Sequence, residues 1–99
     1  MAMTRAAETR VLSEAQRALV APSHYPELAA LPPDEVVLLA TRLREEHDRL
    51  RGTVRDARRA KRGKAEAQGG PNEEHAAMKK QILAAALKRV ARRMEINRG

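Results

Sequence analysis

The sequence predicts an all-α fold: an antiparallel helical hairpin of a long central helix and a C-terminal helix, preceded by a short N-terminal helical segment. Three observations predict it. Of 99 residues, 19 are alanine and 15 are arginine, both strong helix formers. Val36, Leu43, Leu50 and Ala57 recur every seven residues with Leu39 and Val54 beside them, an apolar stripe of helical period with a coiled-coil-like seam. Beyond it Gly63, Gly69, Gly70 and Pro71 gather the breakers ahead of a second periodic stretch, and helices joined by such a loop lie antiparallel, each stripe covering the other.

Taken in order, the first element is "SEAQRALV". Ser13 with Gln16 three residues on is a capping-box pattern ahead of Leu19 and Val20. "APSHYPELAALPP" holds four of the five prolines and reads as a linker with one short turn at Glu27 to Leu31. The long helix starts at Pro33, which suits a first helical position, with Asp34 and Glu35 against the positive end of the helix dipole. Gly52 falls inside it, at a cost of about 1 kcal/mol relative to alanine, which suggests a kink or a close helix contact. The third element is capped by Asn72 and carries Glu73 and Glu74 in its first turn, with arginines in its last. Residues 1–32 thus form a short helix and a Pro-rich linker, and residues 33–99 a basic hairpin.

Leu, Ile, Val and Phe together number only 18 of 99 residues, so the core of one chain is expected to be thin and folding to lean on self-association. Val36, Leu39, Leu43 and Leu50 on the central helix, with Leu83, Leu87, Val90 and Met94 on the last, are the residues expected to carry it.

Charge is segregated. Residues 1–50 sum to −2 and residues 51–99 to +9, within a total of +7. From Arg51 to Lys64 there are seven bases and one acid, Asp56. Arg44, Arg51, Arg55, Arg58 and Arg62 are spaced 7, 4, 3 and 4 apart, which puts all five within about 60° of arc over about 27 Å of helix. Guanidinium groups in such a row suit phosphate contacts. Arg59, Lys61 and Lys64 broaden the field, and Lys88, Arg89, Arg92 and Arg93 on the last helix add to it. The competing reading is a solvated face paired along the helix, with Glu45 to Arg49, Asp48 to Arg51 and Asp56 to Arg59 at suitable spacing.

Other chemistries lack their residues. Tyr25 is the one aromatic side chain, so no base-stacking platform for single strands can be built. There is no cysteine, and His24, His47 and His75 stand in no metal-ligand or Glu-x-x-His spacing. No metal, cofactor or enzymatic activity is expected. The basic part of the central helix offers mainly Val54, Ala57 and Ala60 as apolar anchors, too small for membrane attachment. No apolar run nears the roughly 20 residues of a bilayer span, and the first sixteen residues lack an apolar signal region. A cytoplasmic protein is expected.

"LATRLREEHDRLRGTVRDARRAKRGK" resembles the central segment of small, arginine-rich, uncharacterised bacterial proteins in which R-L-R, D-R and R-G-K precede a Gly-rich linker and a second helix. The similarity covers about residues 28 to 95. It implies a bacterial, cytoplasmic, helical protein and no particular activity. The expectation is a homo-oligomer that binds DNA or structured RNA through phosphates with little sequence specificity. The alternative is a helical interaction or adaptor module docking an acidic protein partner.

Overall fold

The computed structural model describes residues 4–63 and 70–98, and for residues 57–63 and 70–75 the backbone alone. Among the described residues five α-helices follow one another: α1 (Arg5–Val11), α2 (Glu14–Val20), α3 (Glu27–Ala30), α4 (Pro33–Gly63) and α5 (Gly70–Arg98), with a 3-10 turn (Ala21–Ser23) between α2 and α3. No strand occurs among the described residues. The molecule is a rod of 52 × 24 × 24 Å, its long dimension set by α4, whose 31 residues rise about 46 Å.

Local chemistry accounts for most of the boundaries. Ser13 closes the capping box as its spacing predicts: its hydroxyl accepts from the Gln16 N–H at 3.2 Å, and the Gln16 side chain accepts from the Ser13 N–H at 3.0 Å. Proline at the start of α4 loses no helical hydrogen bond, because a first-turn N–H has no partner there in any case. The 3-10 turn and α3 occupy the Pro-rich segment, so what reads as a linker is half helical; Pro22 sits in the first turn of one and Pro26 precedes the other.

Two expectations are corrected. A helix, α1, precedes Ser13, with Thr4 as its cap accepting from the Ala7 N–H at 3.1 Å. The last helix begins at Gly70, so Asn72 lies inside its first turn and does not cap it. Pro71 at the second position is again a residue whose missing N–H costs nothing there.

α4 and α5 form the antiparallel hairpin. Val36, Leu39, Leu43 and Leu50 on α4 meet Ile82, Leu83, Ala86 and Val90 on α5, and Leu12, Val20 and Leu28 join from the N-terminal helices. All of these are buried, with Val36, Leu43, Leu83 and Val90 fully so. The N-terminal segment is therefore a third layer on one flank of the hairpin. This layer supplies the apolar cover that a bare two-helix unit of this composition would lack. Toward the far end of the described hairpin, Val54 and Ala76 are buried outside this cluster. The Ala57 side chain, the last of the heptad series, lies outside the described residues.

Gly52 marks neither a helix break nor a close approach. α4 runs through it without a break, and a Cβ built there meets nothing within 4 Å.

Candidate nucleic-acid interface

The two flanks of the hairpin handle their cations in opposite ways. On the flank covered by the N-terminal segment, Arg89 of α5 reaches into a polar knot. Its Nε donates to the Ser23 carbonyl and its Nη2 to the Ser23 hydroxyl, each at 2.9 Å, while that hydroxyl donates to the Val20 carbonyl at 2.6 Å. Beside it His24 Nε2 lies 2.7 Å from Oε1 of the buried Glu8 and 3.3 Å from Arg89 Nη2. A carboxylate can only accept, so the short contact has Nε2 donating to Glu8; a ring nitrogen that carries its proton cannot accept from Arg89, whose attraction here is to the Glu8 charge. Burial lowers the proton affinity of Arg89, and the Glu8 charge opposes that.

Nearby, Arg93 Nη2 donates to the Ala29 carbonyl at 3.4 Å, and its Nε is buried without a partner. Arg5 pairs with Glu27 across the same segment. Glu46 of α4 accepts from Gln16 Nε2 at 2.7 Å and pairs with Arg49. The hydrogen bond from Arg49 holds the Glu46 carboxyl below its ordinary value, helped by Gln16 and by the charge of Lys79.

On the opposite flank Arg44, Arg51 and Arg55 are exposed, and among the described residues none has an acidic group within 4.0 Å. The internal pairing that would neutralise the helix is rearranged. Arg49 pairs with Glu46 where Glu45 was expected, and Asp48 lies 3.7 Å from His47 Nδ1, away from Arg51. The third expected pair, Asp56 with Arg59, lies outside the described side chains.

Of the twelve residues expected to contact nucleic acid, the structure brings Arg44, Arg51 and Arg55 onto one open face, and continues their helix through Arg58, Arg59, Lys61 and Arg62, whose side chains are not described. Lys64 lies outside the described residues. Lys88 is exposed and faces a groove shared with Arg44. Arg92 is exposed, whereas Arg89 and Arg93 are half-buried and bound to Ser23 and Ala29. Arg89 is a structural tie, with Nε and Nη2 both engaged by Ser23, and Arg93 is a weaker one, held to the Ala29 carbonyl through Nη2 alone.

The eight residues expected at a self-association surface lie elsewhere as well. Val36, Leu39, Leu43, Leu50, Leu83 and Val90 are buried in the core of the single chain, and Leu87 and Met94 are half-buried against it. The six buried residues offer nothing to a second copy, whereas Leu87 and Met94 also line the groove shared with Arg44 and Lys88.

Sequence reading missed Glu8, Ser23 and His24, which come beside Arg89 across 65 or more positions of chain; no local spacing signals such a tie. It also missed Arg98, which lines the groove with Arg44 and Lys88. Here a signal existed: Leu87, Ala91, Met94 and Arg98 follow a 4-3-4 spacing on α5.

Among the described residues no group of three or more His, Asp or Glu side chains could hold a metal ion, and no helix is long and apolar enough to cross a membrane. The chain matches no family model, no curated protein and no solved structure.

Proposed function

We propose that this protein binds DNA or structured RNA through phosphate contacts, with little sequence specificity, along the open flank of α4. The observation that carries this reading is the row Arg44, Arg51 and Arg55, exposed, without acidic partners among the described residues, and continued in phase by Arg58 and Arg62. Arginines that serve only solubility gain by alternating with acids, yet on the covered flank Arg5, Arg49, Arg89 and Arg93 are paired or hydrogen-bonded, and Arg42 is the exposed exception. A stiff helical row spanning about 27 Å matches about 8 base pairs of duplex at 3.4 Å each. Tyr25 sits on the N-terminal segment, so the flank offers phosphates guanidinium groups and offers bases no stacking surface.

The test is a gel shift with random-sequence duplex DNA and a structured RNA across a salt series. Binding that falls by about three to five decades between 50 and 200 mM salt is expected if six to ten phosphates are touched. Binding insensitive to salt, or none at 50 mM, rejects the proposal. A second reading, a helical interaction module, is supported by the exposed apolar Val37 and Leu38 at the start of α4.

A further inference from the structure

A groove of about 390 Å³ runs between α4 and α5 on the flank that the N-terminal segment leaves open. Its floor is apolar: Ala40, Leu87, Ala91 and Met94. Arg44, Lys88 and Arg98 stand around it, with Glu95 as the one acid in the lining. A phosphate backbone gains nothing from an apolar floor, whereas an amphipathic helix gains from both parts of such a trough. Small alanines permit close approach of a helix, and methionine adapts to its shape.

The complement to this groove lies on the same chain. On the outer face of α4, Asp34, Val37, Thr41, Glu45 and Asp48 are all exposed and fall within about 80° of arc along about 21 Å of helix. This ridge holds three acids and no base. Val37 is 50% exposed at its crest. Neither Asp34 nor Glu45 has an ion pair among the described residues. Ridge and groove adjoin across Arg44, so they form one continuous patch that is acidic and apolar on one side, basic and apolar on the other. A patch of that kind is self-complementary under a two-fold axis: the ridge of each copy enters the groove of the other.

We infer that the chain forms an isologous dimer through this patch, with Val37 packing over Ala40, Leu87, Ala91 and Met94 of the second copy, and Asp34, Glu45 and Asp48 facing its Arg44, Lys88 and Arg98. Arg44 and Lys88 belong to both surfaces, whereas Arg51, Arg55, Arg58 and Arg62 take no part, so reversing those four reads nucleic-acid binding without touching the dimer, and the ridge variant reads the dimer without touching the arginine row.

Sedimentation equilibrium of the full chain tests this with two triple variants. One reverses the ridge (Asp34→Lys, Glu45→Lys, Asp48→Lys), the other the groove (Arg44→Glu, Lys88→Glu, Arg98→Glu). Wild type is expected to reach twice the 11.0 kDa chain mass, each variant to stay at the monomer mass, and the equimolar mixture to recover the dimer mass, because each reversed ridge then meets an opposite groove. A wild type that remains monomeric up to millimolar concentration overturns the inference. So do variants that dimerise like wild type, or a mixture that stays monomeric. Circular dichroism establishes that the variants fold. Should either lose helicity, Val37→Lys, which sets a cation against the three cations of the groove, carries the same expectation of a monomer, and an unchanged dimer overturns the inference.

Discussion

Arg49 and Arg51 stand two residues apart on one helix and have opposite fates. Arg49 points to the flank where α2 packs and is paired with Glu46, which is itself held by Gln16 of the N-terminal layer. Arg51 points to the other flank and has no acidic partner among the described residues. The same contrast recurs on α5, where Arg89 is tied to Ser23 and Lys88, its neighbour, stands exposed beside the groove. Sequence alone presents these as one basic cluster. Burial sorts them into ties that hold a layer in place and charges left for another molecule, since a guanidinium taken from water must have its donors satisfied while an exposed one need not.

The sharpest way to break the comparison is to reverse Arg51, Arg55, Arg58 and Arg62 together to Glu. Binding to duplex at low salt should fall by about a thousandfold or more, with helicity by circular dichroism unchanged. A variant that binds as wild type would remove the open flank from function. On the covered flank the effect should instead be on stability. Arg89→Ala strips donors from Ser23 and leaves the Glu8 charge without its neighbouring cation, and should cost about 2–3 kcal/mol in urea unfolding. Arg51→Ala should stay within about 0.5 kcal/mol. Equal losses at the two sites would erase the distinction.

Smaller effects sharpen it further. Ser13→Ala opens the capping box at the start of α2 and should cost about 1 kcal/mol. Gly52→Ala should stabilise by up to about 1 kcal/mol, since the added methyl meets open space and the helix gains propensity. The smallest effect is the pH response of the Glu46–Arg49 pair. The folded chain holds the Glu46 carboxyl below its ordinary value of 4.5, chiefly through the hydrogen bond from Arg49. Its contribution is then present in full above 4.5 and is lost as pH falls through the lower folded value. Glu27, lowered by its hydrogen bond from Arg5, acts in the same direction. Arg49→Gln should flatten the acid limb of a stability-against-pH curve, and an unchanged limb would show that other carboxylates govern it.

Much of the hairpin is legible because its determinants are local or periodic. The seven-residue apolar repeat, Pro33 and the glycines around residues 63–70 specify two helices and a reversal, and the capping box at Ser13 needs only four residues to be read. α1 escaped because its seven residues carry little periodic signal, and its cap is a lone threonine without the reciprocal Glu or Gln. The arginine stripe was legible as a stripe, since helical phase places Arg44, Arg51 and Arg55 together whatever surrounds them.

By itself, then, the sequence determined the two long helices and α2, which face of each long helix is apolar, and that five arginines share one line. Only the tertiary structure decided which side of that line is open. A third layer from residues 4–32 chooses one flank of the hairpin, because Leu12, Val20 and Leu28 can be buried only against the seam of α4 and α5. Once it does, Glu8, Ser23 and His24 arrive beside Arg89 and remove it from the surface charge. The flank left bare keeps Arg44, Arg51 and Arg55 exposed beside a groove between α4 and α5. Contacts between residues 60 and more positions apart have no footprint in local pattern, and those contacts separate a structural arginine from one that can bind.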